Sequence, residues 1–204
     1  MVETSGLPAS GAQGEFGHAV PVRPASGSGG AQVPDWCLRG HYLGVGGAGV
    51  GWSHFYRLTD ITCRVCAALR DPAANWCLLD PARQYPADSA PGQGLVLAVV
   101  PPSARGGIGR IELRLARRPV GEVALAACGP CHRAVLVRVL VPDEHRRLGY
   151  GRVLIAAALA RAPASRYHWS TVRGPETVAA KAFWAAVRFP GKIGEPGYCS
   201  DMLR

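Results

Sequence analysis

The stretch "VLVRVLVPDEHRRLGYGRVLIAAALARA", residues 135–162, decides the fold of this 204-residue chain. The run at 134–141 is apolar almost throughout, which predicts a central β-strand covered on both faces. A turn with two adjacent arginines and two glycines follows. An alanine-rich pattern then predicts a helix from about 149 to 162, which Pro163 ends. A buried strand, a glycine turn and a helix are therefore expected in immediate succession.

The turn between this strand and this helix predicts an anion site. The first N–H groups of a helix have no partner within the helix, and the helix dipole adds positive charge there. Gly149 and Gly151 lack the Cβ atoms that would hold a phosphate away from the backbone. Arg146, Arg147 and Arg152 add positive charge around the turn. We expect a phosphate or pyrophosphate here; the alternative is an ordinary strand-to-helix turn with solvated arginines.

The elements around this stretch predict a mixed α+β sheet. Strands are expected at 95–100, at 110–117 with clean alternation, at 122–128 after a "PVG" turn, at 166–172 and at 197–203. A second helix is expected to begin at Gly174-Pro175-Glu176, with proline in its first turn, and to end near Arg188.

Two of these segments resemble the GNAT superfamily of N-acetyltransferases. "RRLGYG" at 146–151 is similar to the pattern Arg/Gln-x-x-Gly-x-Gly/Ala that follows the fourth strand of that family. "ETVAAKAFWAAVRF" at 176–189 is similar to its helix pattern, with Ala180 and Phe189 on the alanine and the final phenylalanine. The resemblance covers roughly residues 95–204. It implies a GNAT-like mixed central sheet flanked by helices.

The resemblance also implies a cofactor and a reaction. The family transfers an acetyl group from acetyl-CoA to an amine. The end of strand four separates from strand five, so that its free backbone pairs with the pantetheine arm, and the amides of the turn hold the pyrophosphate. The implied cofactor-binding residues are Val139, Leu140, Val141, Arg146, Arg147, Leu148, Gly149, Tyr150, Gly151 and Arg152.

The sequence departs from the family at the catalytic positions. Trp184 stands where the family has a tyrosine that acts as the acid. An indole has no useful acidity, so we interpret Trp184 as a core-packing residue. Thr177 replaces a common asparagine. Tyr198 and His168 are weak candidates for the acid and base, each with a ready structural role, so the catalytic residues are not identified.

The predicted organisation has three parts. Residues 1–34 are rich in Gly, Ser, Ala and Pro and are expected to form a disordered tail. Residues 35–93 hold a Cys/His-rich segment and a linker, and 94–204 form the GNAT-like domain. Only "PPSARGGIG" separates the first two strands, where the family inserts two helices. We therefore expect a fold trimmed in its first helices.

Seven cysteines without an export signal indicate thiols or metal ligands rather than disulfides. Cys63 and Cys66 form a CxxC, and Cys37 with His41 lies upstream. Together these four residues predict a tetrahedral zinc site, like that of a zinc ribbon.

An alternative set of ligands uses the second CxxC. Cys128 and Cys131 lie in the turn before the central strand. They are either a hairpin that holds two thiols or partners of the first CxxC in a four-cysteine site. Cys77 and Cys199 are expected to be free thiols.

Charge and hydropathy limit the remaining function classes. The net charge is +9, and ten arginines against four acids lie between Arg105 and Arg152, around the predicted anion site. No apolar window could span a bilayer, and the N-terminus lacks a signal pattern, so we expect a cytoplasmic protein without membrane contact.

An N-acyltransferase is the favoured function, and the sequence does not name its acceptor. The alternative is a zinc-containing nucleic-acid- or protein-binding module whose GNAT-like fold is catalytically weak or inactive. A nucleic-acid partner is not favoured, because no recognisable DNA-binding motif accompanies the charge.

Overall fold

The computed structural model describes residues 21–25, 32–104 and 106–203. It is a mixed α+β fold, as the sequence predicts, but it has two sheets where one central sheet was expected. The strands are β1 Val22–Pro24, β2 Ala48–Ser53, β3 Leu58–Cys63, β4 Asn75–Leu79, β5 Gln84–Pro86, β6 Leu95–Val100, β7 Ile108–Leu115, β8 Arg118–Cys128, β9 Arg133–Leu140 and β10 His168–Thr171. The helices are α1 Arg64–Ala68, α2 Tyr150–Arg161 and α3 Val178–Val187. Short 3-10 turns occupy Asp143–His145 and Ser200–Met202.

The larger sheet has the order β10-β9-β8-β7-β6-β5. Strands β6 to β9 form an antiparallel meander, and β10 joins β9 in parallel after the crossover through α2. The 101–107 connection between β6 and β7 holds no helix in its described residues, all but Arg105. The mixed sheet and this short connection agree with the prediction of a mixed central sheet trimmed in its first helices.

The β7–β8 turn differs from the prediction. It lies at Ala116 and Arg117, both with positive φ, as a two-residue hairpin turn requires. The "PVG" segment is instead part of β8, where the register skips Val120 as a bulge. The sequence prediction was wrong because proline and glycine usually mark turns, and here they accompany a bulge next to the turn.

The C-terminal predictions also need correction. Helix α3 begins after Thr177, whose side chain accepts the N–H of Ala180, so the helix starts at Val178, four residues beyond Gly174. Residues 197–203 do not form a strand. They end in the 3-10 turn Ser200–Met202, against the outer face of β8.

The smaller sheet has the order β1-β4-β3-β2 and contains the Cys/His-rich segment. Two short strands lie in segments that were predicted to be tail and linker. Residues 22–24, within the predicted tail, pair in parallel with β4; residues 1–20 and 26–31 lie outside the described residues. Residues 84–86, within the predicted linker, are the edge strand β5 of the larger sheet. Backbone pairing, which apolar periodicity does not reveal over three residues, orders both segments.

The two sheets share one core around α2. This helix is buried on more than one face, because it packs against β7, β8 and β9 on one side and against β1 on another. Val22, Tyr56, Cys77 and Leu79 from the smaller sheet join the same buried cluster as α2 and the larger sheet. The start of α2 therefore lies where both sheets meet.

Candidate functional site

The parallel strands β9 and β10 separate halfway along β9. Their register pairs His168 with Arg133 and ends with Thr171 opposite Leu136. The last backbone bond runs from the N–H of Val172 to the oxygen of Leu136, at 3.1 Å. Beyond it, β9 continues to Leu140, bonded only to β8 among the described residues. An open backbone edge therefore leads toward the start of α2.

A bulge lies at the point of separation. Ala124 and Leu125 of β8 pair with Arg138 and Leu136, so Val137 has no partner in β8. A bulge bends its strand and redirects the backbone groups beyond it. The released edge includes the predicted residues Val139 and Leu140, and the Leu140 side chain is 45% exposed.

The turn after β9 has an unusual backbone. Arg147 and Gly149 both adopt positive φ, +64° and +81°. Left-handed residues in such a turn bring successive N–H groups together into a concavity that binds anions. At the helix start, the N–H groups of Gly149, Tyr150 and Gly151 donate to no backbone oxygen among the described residues. The turn therefore presents converging donors.

Gly149 has an additional role that the sequence does not reveal. A Cβ at this position would overlap the carbonyl oxygen of Val22, and the Val22 N–H donates to the oxygen of Leu148 at 2.6 Å. Strand β1 therefore lies directly against the turn. Similarly, a Cβ on Gly151 would come within 2.8 Å of the Phe183 ring. Both glycines permit close packing within the protein.

The charge around the turn is only partly neutralised. Arg146 pairs with Asp143 at 2.6 Å, and its Nε donates to the oxygen of Val141. Arg147 and Arg152 are exposed, and neither forms an ion pair with a described residue. Arg23 of β1 lies over the Trp76 ring, 4.6 Å from its centroid. Burial and the nearby charge of Arg152 lower the pKa of Arg23 to about 10. Uncompensated positive charge favours an anion here.

Tyr150, at the first position of α2, belongs to the core rather than to the open surface. Its side chain is buried, and its hydroxyl interacts with that of Tyr56. Burial and the neighbouring Tyr56 raise the pKa of Tyr150 far above its usual range. Its contribution to an anion site is therefore its backbone N–H.

The candidate catalytic residues lie away from this opening. His168 pairs with Arg133 at the opposite end of β9, four residues or roughly 13 Å from Val137. Tyr198 packs near Cys128, and its carbonyl oxygen accepts from Arg133 at 3.4 Å. The structure does not bring either residue to the released strand edge.

Trp184 is half-buried and packs against the core. Its ring contacts those of Phe183 and Phe189, with centroids 5.3 and 5.5 Å apart. All three rings lie against the main buried cluster. This packing agrees with the interpretation of Trp184 as a structural residue.

A second candidate site lies in the smaller sheet. The structure brings together Cys37, His41, Cys63 and Cys66, with all ligand atoms within 4.8 Å of one another. The Sγ atoms of Cys37 and Cys66 are 3.7 Å apart. The His41 Nδ1 lies 3.4, 3.8 and 3.2 Å from the sulfurs of Cys37, Cys63 and Cys66.

These distances fit a tetrahedral zinc ion. Zn–S bonds of about 2.3 Å and Zn–N bonds of about 2.0 Å place two sulfurs about 3.8 Å apart, and a sulfur and a nitrogen about 3.5 Å apart. The backbone N–H groups of Arg39 and His41 both point at the Cys37 sulfur, at 3.3 Å. Such outer hydrogen bonds orient and stabilise a thiolate ligand. Three thiols and one imidazole are the donor set of a structural zinc site.

The environment already stabilises one thiolate in this cluster. Burial alone would raise the pKa of Cys37, but the N–H groups of His41 and Arg39 and the neighbouring thiols lower it to about 6. Burial, followed by the adjacent thiols of Cys63 and Cys37, raises the pKa of Cys66 to about 12. The Arg39–Asp71 ion pair, at 2.6 Å, adds a link from the Cys37 loop to the segment after α1.

The two CxxC pairs do not combine into the four-cysteine alternative. Among the residues with defined positions, Cys128 and Cys131 lie with Cys199 in a separate group. Cys77 is fully buried in the main core. Sequence spacing gave no indication that Cys199 joins the second pair, because the C-terminal segment reaches β8 only through the tertiary fold. The same is true of Arg23, which reaches the turn through β1.

Comparison with known proteins gives partial similarities to acetyltransferases. No protein-family profile and no curated protein matches the chain. An aminoglycoside acetyltransferase from an uncultured soil metagenomic sample, solved with trehalose and with sisomicin, is 14% identical. The similarity covers 45% of this chain and 64% of that one, with a TM-score of 0.36. An acetyltransferase from Thermus thermophilus is 27% identical over 41% of this chain and 53% of that one, with a TM-score of 0.32.

The chain therefore spans less than two thirds of each of these solved structures. Both of these solved proteins are acetyltransferases. Among the described residues, no helix is both long and apolar enough to cross a membrane.

Proposed function

We propose that this protein is an acyl-CoA-dependent N-acyltransferase of the GNAT type, with acetyl-CoA as the donor and an amine as the acceptor. The observation that supports it best is the separation of β9 from β10 after Leu136, which leaves a strand edge open toward the Arg146–Arg152 turn. An extended ligand that carries amide groups along its arm and an anion at its end would match these two features in the same order, first the edge and then the turn. The open edge offers backbone groups, and the turn offers converging N–H groups and arginines.

The residues of this chain would have distinct roles toward acetyl-CoA, which supplies an activated thioester when bound. The released edge at Val139–Val141 pairs with the amide-containing arm. The N–H groups of the turn and the side chains of Arg147 and Arg152 bind the pyrophosphate. Arg23, carried by β1, adds charge beside Arg152. We assign no side chain as the base that accepts the proton of the amine.

The cluster of Cys37, His41, Cys63 and Cys66 would hold a structural zinc ion in the same protein. Its three cysteines are buried and His41 is half-buried, and together they supply four protein donors. A closed donor set of four protein ligands is typical of structural sites, whereas catalytic zinc keeps a position open for water. The zinc would therefore organise the smaller sheet, which supports β1 and hence the turn.

Titration calorimetry with acetyl-CoA tests the cofactor assignment. The parent is expected to bind, and Arg147→Glu/Arg152→Glu to bind at least about tenfold more weakly, because two charge-assisted contacts become repulsive. Arg166→Glu, an exposed charge reversal beyond the other end of α2, is the matched control and is expected to bind like the parent. A glutamate at Gly149 would be a poor test, since its Cβ would displace Val22.

The outcomes separate this function from the alternative. Absence of binding by a folded, zinc-loaded parent contradicts the acyltransferase proposal and favours the zinc-containing binding module. Equal binding by the double variant contradicts the placement of the pyrophosphate on this turn. Binding that depends on both arginines supports the cofactor site and directs a screen of amine acceptors for release of free CoA thiol.

A further inference from the structure

The second group of cysteines gathers from two distant parts of the chain, the β8–β9 turn and the C-terminal segment. Cys128 ends β8, Cys131 lies in the turn before β9, and Cys199 comes from the C-terminal segment. Their sulfurs all lie within 4.8 Å of one another. The sequence pattern alone places two of these thiols in one hairpin turn. The third reaches them from far along the chain, so the fold itself assembles the group.

We propose that Cys128, Cys131 and Cys199 bind a second zinc ion, with the Asp201 carboxylate as the nearest fourth ligand. Asp201 Oδ2 lies 3.9 Å from the Cys128 sulfur. That distance is longer than the roughly 3.5 Å between a sulfur and an oxygen bound to one zinc ion. Asp201 also lies outside the group whose donor atoms are all within 4.8 Å of one another, so its carboxylate would have to turn toward the ion on binding. Three thiolates and a carboxylate are all established zinc donors.

His132 is adjacent to the group in sequence but is directed elsewhere. Its ring meets that of Tyr167 edge to face, with centroids 6.0 Å apart. Positive φ at His132 marks the end of the turn that carries Cys131. The donor set is therefore three sulfurs and one oxygen, which distinguishes it from the three sulfurs and one nitrogen of the first cluster.

The surrounding charge suits such a donor set. Three thiolates and a carboxylate around a divalent ion carry a net charge of −2. Arg133 pairs directly across from Cys128 in the β8–β9 register, and its guanidinium reaches the carbonyl oxygen of Tyr198 next to Cys199. This arginine therefore links the same two segments that the ion would join and offsets part of its ligand charge.

The C-terminal segment has few other attachments that would hold it in place. It forms no strand among the described residues, and its side-chain contacts include a hydrogen bond from Gly197 to Ser170 at 2.9 Å and the packing of Met202 against Ala126 and Val135. The backbone oxygen of Asp201 lies so close to Gly106 that a Cβ there would overlap it. An ion bound by both segments would fix the C-terminal segment against β8. The small apolar contact made by Met202 would hold it there only weakly.

The test is the zinc content of the intact chain, measured by native mass spectrometry after purification under reducing conditions. The parent is expected to hold two ions per chain, and Cys131→Ser and Cys199→Ser one each. Cys66→Ser is expected to lose the other ion, and Cys77→Ala, a buried cysteine outside both groups, to keep two. Because Cys131 is exposed in a turn, its replacement by serine should leave the fold intact.

Replacement of zinc by cobalt identifies the ligands. The sulfur-to-metal absorption of the cobalt protein is expected to fall in Cys131→Ser, and its ligand-field bands to change in Asp201→Asn. A parent with one ion, unchanged by Cys131→Ser, overturns the proposal. So does a parent in which alkylation under denaturing conditions finds a disulfide between two of these three cysteines. Two ions in the parent and one in each serine variant support it.

Discussion

The two sheets of this protein are stabilised in different ways. The larger sheet and α2 bury large aliphatic side chains such as Leu97, Ile111 and Leu136 almost completely. The separate cluster of the smaller sheet has eight buried members, of which three are the cysteines of the first metal group. A core of that size rarely folds without a staple. We therefore expect the larger sheet to form by apolar burial alone and the outer part of the smaller one to depend on the proposed zinc ion.

Removal of the zinc ion proposed for Cys37, His41, Cys63 and Cys66 should have the largest effect on hydrogen exchange. That effect should be confined to the smaller sheet. Cys66→Ser, or chelation of the parent, is expected to abolish slow hydrogen exchange in β2 and β3 while β6 to β9 stay protected. The reason is that a structural zinc site contributes an apparent energy on the order of 10 kcal/mol, more than this small cluster can replace. Hydrogen exchange with mass spectrometry, beside Cys77→Ala, measures it. Full protection of β2 and β3 in verified metal-free protein would break the comparison.

Truncation of a side chain in the core of the larger sheet should lower the stability of the fold without loss of zinc. Leu113→Ala removes a side chain with no solvent exposure and is expected to lower the free energy of unfolding by about 3 kcal/mol. Ile108→Ala, on the same strand but 55% exposed, is the control and should cost under about 0.5 kcal/mol. Denaturant unfolding gives both values, and the zinc content should stay at the parent level. Loss of zinc from Leu113→Ala would show that the two sheets are not stabilised independently.

These two kinds of stabilisation also explain what could be predicted from the sequence. Strand β6 was placed at its observed bounds, and β7, β8, β9 and α2 to within a few residues, because alternation and apolar runs report burial directly. The strands of the smaller sheet were not predicted: Trp52 and Val50 of β2 are exposed, so no apolar period marks that strand. Its cysteine spacing did indicate which residues meet. The approach of β1 to Gly149 depends on backbone pairing between distant segments, which no local pattern encodes.

A change in α3 should have the smallest effect. No side chain of this helix is fully buried, and Trp184 contacts the core through Phe183 and Phe189. Trp184→Phe keeps an aromatic ring and is expected to cost about 1 kcal/mol of stability and to change acyl transfer, once an acceptor is known, less than about twofold. Steady-state kinetics of the variant beside the parent checks it. A hundredfold fall in kcat with unchanged stability would instead assign Trp184 a part in the reaction.

Acetyl-CoA is proposed to bind where β9 leaves β10, on the larger sheet. Hydrogen exchange of the parent with and without saturating acetyl-CoA locates the ligand directly. Exchange is expected to slow at 137–141 and 147–152, where the backbone N–H groups are open, and to stay unchanged in β2 and β3 of the smaller sheet. Protection confined to the smaller sheet, or none anywhere, would contradict the account.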